Sequence, residues 1–313
     1  MRYKPGKDPL MRAATRTRYQ GSSKTRTNHL REVHQFLKDL RNQGLGVKKW
    51  DNVTNKHVGA VVKSWQDRGL ETKTIKEYLS GVRATAEANG NNSIHKANSA
   101  FGLENIKYVK NIDKSMHDAK LTSIMKNLKA GGNHEIRVAA QLGLCRHLGL
   151  RHEEARKFNP SRDVLPDGRV HVAAGAKGGK ERVLSEISPE GRNAIENARS
   201  VAGTGSMIPP GMRDSQWEKK GYKILEKAGA NKKYEKFHSA RHAYAQLRYE
   251  QLTGFKCRVK YESKEAFAQA AIEARGENWK DYDKSARGII KVEMGHGLDR
   301  DSNVAQYLGS NSK

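Results

Sequence analysis

The chain has 313 residues, 36% apolar and 30% charged, enough for two ordinary domains or one large one. Its formal net charge is +25 and no apolar run approaches the ~20 residues needed to span a bilayer, which points away from a membrane protein and toward a polyanionic partner. Only Cys145 and Cys257 are present, too few for a disulfide framework or a cysteine zinc site, and fitting a reducing cytoplasm.

Residues 1–28 hold eight Lys and Arg against one acid, interleaved with Ser, Thr and Gly, and read as a flexible basic arm. No apolar block follows these basic residues, so they do not read as a secretory signal. Three helical patterns come next: Leu30, Val33, Leu37 and Leu40; then Val58, Val61, Val62 and Trp65; then Ile75, Tyr78, Leu79, Val82 and Ala86. In "GLETKTIKEYLSGVR", Thr72 and Thr74 suit a helix start, and Glu77 makes a capping box with Thr74. The spacing predicts a helical domain over 29–105 and a linker over 106–117. Residues 1–110 carry 22 Lys and Arg against nine Asp and Glu, a net +13, and the other 203 residues carry +12.

A second domain is expected over 118–313, opening with helices near 118–129 and 134–147. Gly149 ends one helix before "LRHEEARKF" begins another. "GRVHVAAGAKGGKERVLSEI" alternates Val170, Val172 and Ala174, passes a glycine-rich turn and resumes at Val183 and Leu184, predicting a β-hairpin with Lys177, Gly178 and Gly179 at its tip. The remainder reads as helix, with a long polar insertion over 252–290. The fold class is mainly α, with one small antiparallel hairpin.

"KFHSARHAYAQLRYE" gathers His238, Arg241 and His242 at a helix start. Two histidines at i and i+4 suit a zinc ion, but no Glu stands between them and Arg241, a permanent cation, cannot ligate. A guanidinium beside imidazoles better suits a phosphodiester, whose two non-bridging oxygens it grips together. Other pieces share that chemistry: Arg151 with Glu154 one turn on, where it can orient the guanidinium; Lys177 at the hairpin tip, with Lys180 as the second choice; His296 after a glycine; and Tyr307 eleven residues later.

In that order (Arg, Lys, His-x-x-Arg, Gly-His, Tyr), behind a basic helical front, the chain resembles the tyrosine recombinase (phage integrase) family over most of its length. The front resembles the SAM-like core-binding domain, especially "GLETKTIKEYLSGVRA", and the region from about 115 onward resembles the catalytic domain. The resemblance implies that Arg151 and Arg241 clamp the phosphate, that Lys177 is the hairpin lysine, that His238 and His296 are the active-site histidines with His242 in support, and that Tyr307 is the nucleophile. It leaves 252–290 without a role, and six residues follow Tyr307.

The expected activity is site-specific DNA recombination, in which Tyr307 attacks a phosphodiester to form a covalent 3′-phosphotyrosine. The arginines would neutralise the phosphorane, Lys177 would protonate the 5′ oxygen, His238 would handle the tyrosine proton and His296 would hydrogen-bond the phosphate, with no metal, ATP or other cofactor. Expected partners are double-stranded attachment sites, a dimer on each site and a tetrameric synapse, with an accessory DNA-bending or excision factor and no membrane. The expected setting is a mobile genetic element in a bacterial cytoplasm, at the nucleoid. A type IB topoisomerase-like nicking and resealing enzyme and a DNA-binding relative without catalysis are the alternatives.

Overall fold

The computed structural model describes residues 4–106, 109–296 and 301–310. The chain divides into two compact units, Met1–Lys107 and Tyr108–Lys313. Among the described residues no helix is long and apolar enough to cross a membrane.

Among the described residues the first unit has four α-helices: α1 (Pro9–Arg16), α2 (Ser23–Asn42), α3 (Asn55–Asp67) and α4 (Thr72–Ala88). Val33, Phe36, Leu37 and Leu40 of α2 meet Val58, Val61, Val62 and Trp65 of α3 and Ile75, Leu79, Val82 and Ala86 of α4 in one core. The periodic stripes are therefore the buried stripes. Inside it, Trp65 Nε1 donates to Asp39 at 2.7 Å, and Arg68 pairs with the same carboxylate at 2.8 Å.

Two expectations fail here. The stretch read as a flexible arm contains α1, started by Pro9 and by the Asp8 carboxylate, which accepts from the Leu10 N–H at 2.9 Å. Leu10 and Ala14 enter the core and Arg41 grips Asp8 at 2.8 Å. Two apolar contacts and one partly buried ion pair outweigh a basic composition. The capping box at Thr74 is also absent: α4 starts at Thr72 with Glu71 as its N-cap, one turn earlier, and Glu77 faces Lys73 at 4.0 Å instead.

The second unit begins earlier than the expected 118. Met116 lies in its core and donates its N–H to the Ser239 carbonyl at 3.0 Å, while Asp113 accepts from Gln246 and Lys260. Residues 113–116 are thus fastened to this unit. There follow α5 (Asp118–Lys129), α6 (Asn133–His147), α7 (His152–Lys157), α8 (Pro160–Asp163), β1 (Val170–Val172), β2 (Arg182–Leu184), α9 (Pro189–Ala202), α10 (Asp214–Lys227), α11 (Phe237–Thr253), α12 (Lys264–Arg275), α13 (Trp279–Glu293) and α14 (Asp301–Leu308). Helix α6 is buried from Val138 to Arg146, with α5, α9, α10 and α11 around it. The hairpin is antiparallel, Val170 opposite Leu184 and Val172 opposite Arg182, with a turn at 177–179.

The stretch 252–290 is not a polar excursion. Phe255, Cys257 and Val259, then Phe267 and Ala271 of α12 and Ala286 and Ile290 of α13, pack with Ala245 and Tyr249 of α11 and with Val304, Tyr307 and Leu308 of α14. The inward residues recur at i and i+4 and several are alanines, so the burying stripe is narrow and its charged neighbours hide it in the composition. The segment builds the seat of the last helix.

Candidate active site

Two helix ends frame the site. Helix α13 stops in a Schellman turn: Gly295, at φ +62°, donates to the Val292 carbonyl at 2.9 Å, and the His296 N–H reaches back to Lys291 at 3.0 Å. Helix α6 stops before Gly149, also at φ +62°. Glycine adopts this left-handed conformation without penalty, and both positions are also crowded. A side chain at 149 would run into the Tyr244 ring; one at 295 would meet Arg182 at 2.8 Å and Arg151 at 3.2 Å.

Carbonyls at such ends lack helical partners and carry the negative pole of the helix. Arginines satisfy them. Arg241, near the start of α11, donates through Nη1 to Gly149 and through Nη2 to the Met294 carbonyl at 2.6 Å. Arg151 donates through Nη2 to the Gly295 carbonyl at 2.9 Å. The Gly-Leu-Arg and Gly-His stretches are thereby two halves of one socket.

Glu154 lies at its floor, 1% exposed. One oxygen accepts the Arg151 N–H at 2.7 Å, closing a cap at the start of α7; the other accepts Arg151 Nη1 at 2.7 Å. Arg182 of β2 bridges both oxygens at 2.9 and 2.8 Å, and Arg241 Nη1 stands 3.8 Å away. Burial alone would raise this carboxyl, but the Arg182 hydrogen bonds and the three guanidinium charges hold it at about 2.

Tyr307 of α14 completes the group. Its hydroxyl accepts from Arg241 Nε at 3.3 Å, and its ring lies 4.3 Å from His242, 5.5 Å from His296 and 5.6 Å from His238, centroid to centroid. Gln246 Nε2 donates to its carbonyl at 3.3 Å, fixing the helix that carries it. Arg241 is wholly buried. Burial first, then the charge of Arg241, lowers His238 to about 4 and His296 to about 3; burial and then His238 bring His242 to about 3. All three imidazoles are neutral at pH 7. Among the described residues His242 Nδ1 and His296 Nε2 are buried without a hydrogen-bond partner, as groups shaped for a ligand are.

Seven of the nine residues singled out in the sequence thus converge: Arg151, Glu154, His238, Arg241, His242, His296 and Tyr307. The other two do not. Lys177 and Lys180 are exposed on the hairpin loop, and among the described residues no hydrogen bond or ion pair ties either to the cluster. Two other tyrosines are otherwise engaged: Tyr244, whose ring packs beside Gly149, is tied to Glu293 at 3.0 Å with its phenol pushed up by burial, and Tyr282 is exposed under Arg275. Among the described residues no three His, Cys, Asp or Glu side chains are grouped as a metal ion requires. Arg182 was missed. Its signal was its phase, two residues before Leu184 and on the same buried face of the strand, where a charge needs a partner.

A small helical unit, followed by a helical unit with one hairpin that sets a tyrosine against two arginines and three histidines, defines a protein equipped to handle phosphodiesters. Residues 8–95 match the family described as phage integrase, N-terminal, and residues 107–247 the family described as integrase. The chain belongs to the phage integrase family, the tyrosine recombinases. No curated protein sequence matches it. Among solved structures it is similar to a lambda integrase dimer bound to a COC′ core site, at 14% identity over 97% of this chain and 93% of that one, TM-score 0.58. It is similar to a lambda integrase tetramer bound to a Holliday junction, at 14% over 98% and 77%, TM-score 0.59. The integrase of the Tn1549 transposon in complex with transposon right end DNA matches at 12% over 96% and 95%, TM-score 0.57. The integrase match stops at Leu247, before His296 and Tyr307, whose place in the site rests on geometry.

Proposed function

We propose that this recombinase cuts and rejoins DNA through a covalent 3′-phosphotyrosine at Tyr307, without metal or ATP. The observation that carries this reading is the Arg241–Tyr307 contact inside a ring of neutral histidines: a hydroxyl nucleophile, proton acceptors and guanidinium groups share one buried place. In-line attack by the phenol on phosphorus forms the tyrosyl ester and expels the 5′ oxygen. His238, unprotonated at pH 7, takes the phenolic proton. Arg151 and Arg241 bear the charge that builds on the non-bridging oxygens, His296 adds a hydrogen bond, and Glu154 holds Arg151 in register. Because Arg241 is wholly buried with its Nε on the phenol, the phosphate reaches it as Tyr307 swings aside toward the in-line position. Lys177, with Lys180 as the second choice, is carried in by the hairpin loop to protonate the leaving oxygen. A 5′-hydroxyl from a second strand then reverses the reaction.

The substrate is a duplex attachment site gripped by the basic residues of both units, with a dimer on each site and a tetramer at synapsis, as the lambda integrase assemblies suggest. We assign the protein to integration or excision of a mobile element in a bacterial cell, at the nucleoid, assisted by a DNA-bending or excision factor.

A nicked suicide duplex, from which the 5′ fragment diffuses away after cleavage, tests the core of this. The wild-type protein should accumulate a covalent adduct, and Tyr307→Phe should form none while binding the duplex with unchanged affinity. An adduct on the Phe variant moves the nucleophile elsewhere; its absence in the wild type leaves a DNA-binding relative without catalysis. Exchange of strands between two sites separates a recombinase from a topoisomerase-like enzyme.

A further inference from the structure

The cluster contains a third arginine that the proposed reaction does not use. Arg182 is 7% exposed, on the buried face of β2. Its Nη1 and Nη2 bridge the two oxygens of Glu154 at 2.9 and 2.8 Å, and its Nε donates to the Glu293 carbonyl, in the last turn of α13, at 2.6 Å. One side chain therefore ties the hairpin strand, the floor of the socket and the helix that delivers His296.

The charges show why this matters. Three guanidinium groups surround one carboxylate, a formal +2 among four side chains. A planar guanidinium matched to both oxygens of a carboxylate is the strongest common pairing for that anion. With Arg182 in place, Glu154 is largely neutralised from below, and Arg151 and Arg241 keep their field for a second anion. Without Arg182 the same carboxylate, wholly buried and 2.7 Å from Arg151, would draw on the two arginines meant for the phosphate. The set would fall to +1 facing a phosphorane.

We propose that Arg182 is a positioning residue for phosphodiester cleavage: by compensating Glu154 it leaves Arg151 and Arg241 free to stabilise the transition state, and it sets the hairpin that carries Lys177 against the socket. This rests on the recombinase reading above. Arg182 touches neither phosphate nor leaving oxygen, so its removal should slow the chemical step and spare DNA binding.

The test is the single-turnover rate of adduct formation on the nicked duplex, at saturating protein, beside the duplex dissociation constant and the far-ultraviolet circular dichroism. Arg182→Gln should slow cleavage by about tenfold to about a hundredfold, the range for groups that orient a contacting ligand, with affinity unchanged within about twofold. Arg182→Lys should fall between, since one ammonium keeps the charge but cannot bridge both oxygens and the Glu293 carbonyl. The deciding variant is Glu154→Gln with Arg182→Gln. It removes anion and compensator together, restores +2 on Arg151 and Arg241, and should cleave faster than Arg182→Gln alone. A double variant as slow as the single one, a wild-type rate in Arg182→Gln, or loss of its helical signal would each overturn the proposal, the last by making Arg182 a folding residue. Failure of the wild type to form an adduct would instead overturn the recombinase reading.

Discussion

The socket and the hairpin loop are built on opposite plans. In the socket, Arg241 is pinned through all three of its nitrogens by Gly149, Met294 and Tyr307, Arg151 by Gly295 and Glu154, and Glu154 by three cations. On the loop, Lys177 and Lys180 stand in solvent. Groups that stabilise developing charge act best when already in place, because no reorganisation is then needed during reaction. A proton donor faces a different demand, since it must arrive beside a leaving oxygen that only the bound substrate supplies. The contrast implies that removing the most heavily pinned socket group, Arg241, damages stability and chemistry together, and that a substitution on the loop damages chemistry alone.

The largest effect is expected at Arg241. Arg241→Ala strands two buried carbonyls and leaves Glu154 with less compensation, so stability should fall by about 3–5 kcal/mol and cleavage by at least about a thousandfold. Arg241→Lys should recover part of the stability and little of the rate, because one ammonium cannot reach Gly149, Met294 and a phosphate together. Thermal melts and adduct rates measured on the same samples would show this split. A lysine variant with near wild-type cleavage would remove Arg241 from the clamp.

Lys177→Ala should leave the melting temperature unchanged, as exposed substitutions generally do, and slow cleavage by about a hundredfold to ten-thousandfold, the usual worth of general acid catalysis. A substrate with sulfur in place of the bridging 5′ oxygen sharpens the comparison. Its thiolate leaves without a proton, so it should restore cleavage to Lys177→Ala and not to Arg241→Ala. If the sulfur substrate rescues Lys180→Ala and not Lys177→Ala, the donor is Lys180.

How much of this division was legible beforehand depended on distance along the chain. Helices α2, α3 and α4 show one apolar face at 3.6-residue period, so the sequence pattern and the buried stripe coincide. The seven converging polar residues were found because their types suit one reaction, although nothing local says that Gly149, Gly295 and Arg241 meet. Helix α1 was missed because its core contribution is one leucine and one alanine among cations. The α12–α13 pair was missed because its packing stripe is narrow and its partner, α14, comes later in the chain. Arg182 escaped for a similar reason, since Glu154 is 28 residues away and its importance appears only when both are seen buried.

A smaller effect should follow pH. The three site histidines are held below their ordinary value by burial, so the unfolded chain binds protons that the folded one refuses from about pH 6.5 down to about pH 4 at His238 and about pH 3 at His242 and His296. Stability is therefore complete above pH 6.5 and falls as the pH drops through that window. The melting temperature of the free protein should decline from pH 7 to pH 5, and His242→Gln should flatten the decline. Bound duplex should flatten it as well, since a phosphate beside the imidazoles favours their protonated forms. An acid-insensitive melting temperature would mean that the three rings are solvated and the socket is open.

The smallest effect, none at all, is expected from a chelator. His238 and His242 stand one helical turn apart with ring centroids 4.8 Å from each other, close enough to invite a zinc reading. Their surroundings argue otherwise. The rings meet nearly edge-on, at 88°, the cations Arg241 and Lys114 act on both with only Asp113 opposing them at His242, and among the described residues no third ligand joins them. A divalent cation there would add to the formal +2 that Arg151, Arg182 and Arg241 keep over Glu154, whereas a phosphate brings the anion that offsets it. Cleavage of the nicked duplex should thus proceed at the same rate in EDTA as in magnesium, with the arginines supplying the positive charge that metals supply in other phosphoryl-transfer sites. Zinc, if added, should slow the reaction by occupying imidazoles meant for the tyrosine proton and the phosphate. A reaction abolished by EDTA and restored by zinc would make His238 and His242 ligands, and the proton acceptor for Tyr307 would then have to be sought outside the pair.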